Sequence, residues 1–281
     1  IPNMENQTSY VSLTDVLFAD DWDLDRTHIF MKNWVPTSLK VTVAYLLIVY
    51  FGEKVMLKRK TGFDGHYMDY ILALWNFTFS IFSAIAAYKM IPELVWVLKN
   101  MGFVSSYCTN ASHYTGADSG YWGWMFTMSK ALELGDTLFL ILRKRPVIFL
   151  HWYHHAMTFT FSQITYNELQ AWARWGAILN LLVHTIMYFY FGMRALRFYT
   201  PRSVAKFITT FQLVQFVIVF YILSHLFIIK ATNSIPNCAA SWNVLFSAGL
   251  MYLSYLYLFS KFFYKSYINS STKLTKSNKV E

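Results

Sequence analysis

The sequence predicts an all-α polytopic membrane protein with seven transmembrane helices. The 281-residue chain is 56% hydrophobic and only 14% charged, and this charged fraction is well below the ~25% of soluble domains. Long apolar stretches recur along the whole length, and a spanning helix needs about 20 mainly apolar residues. A third observation is that the basic residues cluster in alternate loops between these stretches. These features together predict one membrane domain rather than a chain of soluble modules.

Seven stretches have the length and hydrophobicity of a spanning helix. They lie at about residues 36–53, 68–90, 120–142, 147–166, 172–193, 206–229 and 241–264. We expect the membrane domain to occupy residues 36–264, between a polar and acidic N-terminal segment, 1–35, and a basic tail, 265–281. The short polar turn Asn167-Glu168 joins the fourth and fifth spans, as is typical of an antiparallel helix pair.

The basic residues orient these spans. Residues 54–60, 143–145, 194–206 and 265–279 carry most of the lysines and arginines, and they fall in every second loop. The positive-inside rule assigns such loops to the cytosol. The N-terminus is then lumenal and the C-terminus cytosolic. The formal net charge of +9 belongs to the membrane edges, and no nucleic-acid partner is expected.

The two cysteines, Cys108 and Cys238, both fall in loops assigned to the lumen. That compartment is oxidising, which favours a disulfide between the two loops over two free thiols. The sequons at Asn6 and Asn110 are also lumenal and are candidate glycosylation sites. The sequon at Asn76 lies inside a span, so we do not expect it to be glycosylated.

Three histidines, His151, His154 and His155, lie in the segment Phe-Leu-His-Trp-Tyr-His-His within the fourth predicted span. Spacings of three and four residues put their rings on one side of a helix. Imidazole is costly to hold in hydrocarbon, so an ionisable cluster at membrane depth indicates a functional site.

Polar residues of neighbouring spans are predicted to lie at a similar depth. Counted at 1.5 Å per residue, His154 is roughly 10 Å from the cytosolic start of its span, and His184 is roughly 13 Å from the cytosolic end of the next. The third and sixth spans contribute Glu133, Asp136, Gln212 and Gln215 at comparable depths. This agreement predicts a polar layer nearer the cytosolic face, around a chamber that opens to the cytosol.

Spacing within the layer suggests local pairs. Lys130 and Glu133 are three residues apart on one helix, either as a structural ion pair or as part of the site. Asn180 lies one turn before the histidine of the fifth span and can orient its ring or a substrate oxygen. Gln212 and Gln215 share a helix face, where interhelical hydrogen bonding and substrate contact are alternative roles.

Two chemistries fit such a layer. A His-x-x-His-His helix can supply iron ligands, as in membrane di-iron desaturases and hydroxylases, but a single box offers few ligands for two irons. Alternatively, an imidazole attacks a thioester to form an acyl-imidazole while neighbouring rings set its tautomer and move the proton. That reaction needs a basic entrance for a phosphorylated acyl carrier. The basic residues at the predicted cytosolic edge are Arg143, Lys144, Arg145, Arg202 and Lys206.

Four motifs, in this order, resemble the ELO family of fatty acid elongases. They are Lys130-Ala-Leu-Glu-Leu-Gly-Asp-Thr137, the histidine box at 151–155, the run from Asn180 through His184 to Tyr190, and Thr209-Thr-Phe-Gln-Leu-Val-Gln215. They cover about residues 120–220, and the seven-span layout extends the resemblance over nearly the whole chain. The Ile-Leu-Arg-Lys-Arg-Pro run before the box is most similar to the branch that acts on long-chain saturated and monounsaturated acyl groups.

The resemblance implies a 3-oxoacyl-CoA synthase of the endoplasmic reticulum, which condenses malonyl-CoA with an acyl-CoA and uses no bound cofactor or metal. It implies a barrel of spans 2–7 around an acyl tunnel closed at the lumenal end. On matching positions, His154 is the acyl-accepting nucleophile, His184 is its partner across the tunnel, and His151 and His155 complete the network. The residues expected to support substrate binding are Lys130, Glu133, Asp136, Asn180, Tyr188, Gln212 and Gln215.

Further expectations follow from the same resemblance. Phe191 stands where the family has a tyrosine, which would remove one hydroxyl from the wall of the site. Expected partners are the ketoreductase, dehydratase and enoyl reductase of the elongation cycle, and a second copy of the chain in a homodimer. The competing functions are a His-box di-iron desaturase or hydroxylase and a seven-span receptor. A receptor ligand would usually enter from outside, whereas the predicted layer lies near the cytosol.

Overall fold

The computed structural model describes residues 10–269, and this range contains helices and no strand. The helices are α1 (Leu13–Leu17), α2 (Leu24–Leu57), α3 (His66–Asn100), α4 (Ser105–Cys108), α5 (Ala117–Glu133), α6 (Gly135–Leu142), α7 (Phe149–Thr165), α8 (Ala173–Ala195), α9 (Arg202–Thr232) and α10 (Trp242–Phe263). A 3₁₀ turn (Tyr166–Glu168) follows α7, and a π-helical turn (Tyr264–Ile268) extends α10. The predicted all-α class is confirmed for the described residues.

Five of the described helices are long and apolar enough to cross a membrane. They are α2, α3, α8, α9 and α10 with its π-helical turn. The third predicted span corresponds to α5 and α6, which are separated at Leu134, and the fourth corresponds to α7, which has 17 residues. Gly135 follows the interruption, and a Cβ there would lie 2.8 Å from the Trp75 ring. The glycine therefore lets α3 approach α6 closely.

Two helices extend beyond the predicted spans. The prediction began the first span at Pro36, but α2 begins at Leu24 and contains that proline. The Asp23 side chain caps α2 by accepting hydrogen bonds from the backbone N–H groups of Asp25 and Arg26, at 2.9 and 3.1 Å. Likewise, α3 continues past residue 90 to Asn100. In α2 and α3 a limit of the predicted span therefore lies inside the helix, because the helix continues beyond its most apolar part.

The helices pack as a bundle in which α3 lies along α8 and α9 lies along α10. The α5 helix contacts both α3 and α7, while α2 packs mainly against α7. The largest buried apolar cluster joins α9 and α10 with Tyr107, Cys108 and Trp172 from the connecting segments. This arrangement surrounds α7, which carries the histidine box, with helices on several sides.

The two ends of the bundle differ in chemistry. At one end a disulfide joins Cys108 to Cys238. The Cys108 carbonyl accepts a hydrogen bond from Ala239 N at 2.7 Å, and the Ala239 carbonyl accepts one from Ala171 N at 3.1 Å. We call this the disulfide end. The opposite end carries the loops 58–65 and 143–148, with several lysines and arginines, and we call it the basic end.

Candidate active site

A cavity of about 120 Å³ lies inside the bundle and extends from the histidine box toward the disulfide end. Helices α5, α7, α8, α9 and α10 all contribute to its wall. His154, Asn180 and Gln215 line it near the predicted polar layer, and Tyr166 and Trp172 line it at the disulfide end. The cavity therefore connects His154, alone among the four predicted catalytic histidines, to a largely apolar space.

The His154 ring faces this cavity. Its nearest ring neighbours are Tyr255, His155 and Phe259, with centroid separations of 5.0, 5.6 and 5.8 Å. Tyr255 is held by a 2.9 Å hydrogen bond to Thr158. Within residues 10–269 no group hydrogen-bonds to the ring nitrogens of His154. A neutral imidazole in this position has a lone pair available to a molecule that enters the cavity.

The His151 ring is held by a hydrogen-bonded chain that leads away from the cavity. Its Nε2 lies 3.0 Å from Thr137 Oγ1, and this hydroxyl lies 2.8 Å from the hydroxyl of Tyr45 on α2. The His151 and His155 rings are in contact, with their centroids 4.5 Å apart. The orientation of His151 is therefore set by two hydroxyl groups and a neighbouring ring.

Asp136 is fixed by two donors from different helices. Its carboxylate accepts hydrogen bonds from Trp75 Nε1 at 2.6 Å and from the Tyr188 hydroxyl at 2.8 Å. His155 Nε2 lies 3.9 Å from the same carboxylate. The close approach at Gly135 brings the Trp75 ring to this carboxylate. Asp136 thus faces His155 with its remaining lone pairs.

His184 is oriented by a second polar chain. Lys130 Nζ donates to Glu133 Oε1 at 2.7 Å and to Asn180 Oδ1 at 2.9 Å. Because an ammonium group only donates, the Asn180 oxygen faces Lys130 and its Nδ2 donates to His184 Nε2 at 3.2 Å. A neutral His184 therefore carries its proton on Nδ1, which lies 3.7 Å from Glu133.

The two glutamines of α9 have different surroundings. Gln215 is buried and lines the cavity. Gln212 donates from Nε2 to Met187 Sδ at 3.2 Å and does not belong to the cavity wall. The expectation for Phe191 is wrong, because its side chain is 47% exposed on the outside of the bundle. A tyrosine at this position would not add a hydroxyl to the site.

The basic residues predicted to meet phosphates have local partners. Arg143 donates from Nε to Asp64 at 3.0 Å and from Nη2 to the buried Asp69 at 2.9 Å. Asp69 also accepts two hydrogen bonds from Arg197, at 2.8 and 3.0 Å. Arg143 is therefore engaged with carboxylates at the basic end. The other predicted contacts, Lys144, Arg145, Arg202 and Lys206, are exposed, although Lys144 donates to the Arg59 carbonyl and Arg202 to the Ser266 carbonyl.

The predicted modification sites lie at the disulfide end or outside the described range. The disulfide between Cys108 and Cys238 is present. Asn110 is part-buried, and its Nδ2, the atom that a glycan would occupy, donates to the Leu169 carbonyl at 2.9 Å. The folded chain therefore does not present this nitrogen freely. Asn6 lies outside the described residues.

Sequence reasoning missed three side chains that hold the site. Trp75, Tyr45 and Tyr255 come from α3, α2 and α10, and each contacts the Asp136–Thr137 segment or the histidine box. Aromatic residues are frequent throughout this chain, so neither their type nor their spacing distinguishes them. Among residues 10–269, no group of three or more histidine, cysteine, aspartate or glutamate side chains is arranged to hold a metal ion.

Comparisons with known proteins show the family to which the chain belongs. The profile of the ELO family, described as the GNS1/SUR4 family, matches residues 29–275. The chain belongs to this family. Long chain fatty acid elongase 2 of Caenorhabditis elegans is 59% identical over 270 residues, covering 96% of both chains. Very long chain fatty acid elongase 6 of Homo sapiens is 35% identical over 253 residues, covering 88% of this chain and 89% of the relative. The resemblance drawn from the four motifs is thereby confirmed.

Proposed function

We propose that this chain is the condensing enzyme of fatty acid elongation and that His154 carries the acyl group. The observation that carries the proposal is the contrast among the four imidazoles. His154 faces the cavity with unoccupied ring nitrogens, whereas His151 and His184 are held by hydrogen bonds and His155 lies beside Asp136. The ELO family and the relatives named as fatty acid elongases support the reaction class.

In the first step, a ring nitrogen of His154 attacks the thioester carbonyl of a long-chain acyl-CoA. The carbon–sulfur bond breaks, the proton on the other ring nitrogen is lost, and CoA leaves as the thiol. The acyl-imidazole that remains is an activated acyl donor. The largely apolar lining of the cavity supports this step, because it suits an acyl chain and disfavours water beside the intermediate.

In the second step, malonyl-CoA loses CO₂ and its α-carbon attacks the acyl carbonyl. The carbon–nitrogen bond to His154 breaks, the ring recovers one proton, and 3-oxoacyl-CoA leaves with two more carbons. Asn180 lines the α8 side of the cavity, its amide is oriented by Lys130, and it hydrogen-bonds to His184, which lies behind it. These groups are the candidates for stabilising the enolate and for returning the proton.

We also propose a seven-span arrangement in the endoplasmic reticulum membrane, with the disulfide end in the lumen and the basic end in the cytosol. The five long apolar helices, together with α7 and the pair α5 and α6, support this count. The 17 residues of α7 extend roughly 26 Å, which is close to the ~27 Å hydrocarbon core of that membrane. A disulfide in the lumen agrees with its oxidising chemistry.

The proposed orientation puts the substrate entrance at the basic end. Both substrates carry the phosphates of CoA, and exposed lysines and arginines attract them. Arg145, Lys206 and the neighbouring basic side chains are the proposed contacts, while Arg143 holds the loop through Asp64 and Asp69. The product is a 3-oxoacyl-CoA, so the ketoreductase, dehydratase and enoyl reductase of the cycle are the proposed partners. The homodimer remains a proposal as well.

The decisive experiment uses the full chain purified in detergent with acyl-CoA and malonyl-CoA. We expect release of CO₂ and formation of 3-oxoacyl-CoA, detected by mass spectrometry, with the same rate before and after treatment with a chelator. Loss of activity on chelation that iron restores would favour the di-iron alternative. Binding of acyl-CoA without any turnover would favour the receptor alternative.

A further inference from the structure

The α2 helix contacts the histidine-box helix through polar side chains although it does not line the cavity. Trp34 Nε1 donates to Gln163 Oε1 at 3.1 Å, and the hydroxyls of Thr42 and Thr160 are 2.9 Å apart. Interhelical hydrogen bonds of this kind fix how two helices are aligned in a membrane. Within residues 10–269, neither Gln163 nor Thr160 forms a hydrogen bond with an imidazole.

A third contact from α2 does reach the imidazoles. The Tyr45 side chain is only 4% exposed, and its hydroxyl lies 2.8 Å from Thr137 Oγ1. Thr137 is fully buried, and its hydroxyl lies 3.0 Å from His151 Nε2. Tyr45 is also part of the apolar cluster that packs α2 against α7. The hydroxyl is therefore held in place by the packing of its own ring.

The direction of these hydrogen bonds follows from their donors and acceptors. Within residues 10–269, Thr137 is the sole hydrogen-bond partner of the Tyr45 hydroxyl. Leaving a buried donor without an acceptor is unfavourable, so the phenol donates to Thr137. The Thr137 proton is then directed to His151 Nε2 and holds it as an acceptor. His151 consequently keeps its own proton on Nδ1.

We propose that Tyr45 is a positioning residue for the condensation reaction. Acting through Thr137, it fixes the tautomer and the orientation of His151, whose ring lies against His155 beside the reacting His154. The first long helix thus takes part in the chemistry without contacting the substrate cavity. This inference rests on the proposed function.

The test replaces Tyr45 by phenylalanine, which keeps the ring and removes the hydroxyl. We expect kcat to fall about tenfold, while KM for acyl-CoA stays within twofold of the wild-type value because the cavity wall is unchanged. The matched control is Thr42→Val, which removes another interhelical hydrogen bond of α2, to Thr160 on α7, that does not lead to His151. We expect kcat of this control to stay within twofold of wild type.

A double-mutant cycle separates positioning from packing. If Tyr45 acts through Thr137, the variant Tyr45→Phe/Thr137→Val should have the same kcat as Thr137→Val alone, because neighbours in one network are not additive. Thr137→Ser keeps the hydroxyl and should retain more than half of the wild-type kcat.

Three outcomes would overturn the inference. They are a Tyr45→Phe kcat within twofold of wild type, an equal loss in Thr42→Val, and additive losses in the double variant. A wild-type protein that forms no 3-oxoacyl-CoA overturns the proposed function itself, and with it the inference. The two failures are therefore distinguished by the wild-type assay.

Discussion

The polar layer and the disulfide end both bury charged groups, but they accommodate them differently. In the layer, Lys130 makes two hydrogen bonds shorter than 3 Å. Asp136 accepts two more. At the disulfide end, Arg174 is fully buried and its Nη1 lies 3.2 Å from Glu93 Oε1, but the angle does not make a hydrogen bond. Within residues 10–269, neither Glu93 oxygen has a hydrogen-bond partner. Arg174 Nη2 instead donates to the carbonyls of Thr109 and Asn110.

This difference is consistent with the chemical role proposed for the layer and with a structural role for the disulfide end. Directional hydrogen bonds fix the tautomers and orientations of rings, which is what a reaction needs. An ion pair without good hydrogen bonds, next to a disulfide, holds segments together but fixes little about direction. We therefore expect substitutions in the layer to reduce turnover with little unfolding, and substitutions at the disulfide end to reduce stability with little effect on turnover.

The largest expected effect is that of His154→Ala. We expect condensation to fall by a factor on the order of 10³ or more, since the covalent intermediate cannot form. The thermal midpoint in detergent should stay close to that of wild type, because no hydrogen bond to this ring is lost within the described residues. Intact-mass measurement with acyl-CoA alone should detect an acylated wild-type chain and no acylated variant. Near-normal turnover would refute the assignment of the nucleophile.

Arg174→Met should produce the largest loss of stability. Removing one partner of a buried ion pair leaves the other charge uncompensated, and such changes cost about 3–5 kcal/mol. The matched control is Arg174→Met/Glu93→Leu, which removes both charges and should recover most of the loss. The thermal midpoint measures the effect, and kcat per folded molecule should remain near the wild-type value. A single variant as stable as the double variant would contradict a structural role for the pair.

Cys108→Ser/Cys238→Ser should have the next largest effect. The disulfide closes a sequence separation of 130 residues, and removal of such a bridge costs about 2–4 kcal/mol. Reductant should lower the thermal midpoint of wild type to that of the variant and leave the variant unchanged. A wild-type midpoint that does not respond to complete reduction, verified by thiol titration, would rule out this contribution.

Much of the helical framework could be predicted from the sequence, because hydrophobic length and the spacing of the histidines are local properties. Arg174 shows the limit of that reasoning. A basic residue that closely follows a polar turn is expected to face solvent, yet Arg174 lies in the first turn of α8 and is fully buried. Its partner Glu93 is on α3, and no local pattern joins residues so far apart in the chain.

In the candidate site, too, contacts between residues close in the sequence could be predicted, and contacts between distant residues could not. The side chains that are three or four residues apart, such as Lys130 and Glu133, could be paired from their spacing, and the structure has them in contact. The contact of Tyr45 with Thr137 depends on how α2 packs against α6 and α7, which hydropathy does not encode. The expectation that Phe191 lies in the wall of the site was wrong for a related reason. Which way this side chain faces around the axis of α8 depends on the neighbouring helices rather than on the motif.

The smallest expected effect is the loss of stability at acid pH that arises from His113 at the disulfide end. His113 lies in the loop between α4 and α5 and is 4% exposed. Burial, reinforced by the positive charge of Arg174, lowers the pKa of His113 from 6.5 to about 3. The unfolded chain therefore binds a proton that the folded chain excludes, and stability is lost as the pH falls below 6.5 toward 3. The expected loss between pH 7.5 and 5.5 is about 1 kcal/mol.

His113→Phe isolates this contribution, because it keeps an aromatic ring beside Tyr114 and removes the titrating group. Thermal midpoints of both proteins should be measured in detergent at pH 7.5, 6.5 and 5.5. We expect the wild-type midpoint to decline more steeply with acid than that of the variant, and the gap to open below pH 6.5. Equal pH dependence in the two proteins would mean that His113 is protonated without disturbing the disulfide end. The disulfide end would then tolerate a second buried positive charge beside Arg174. Its stability would not depend on keeping His113 neutral.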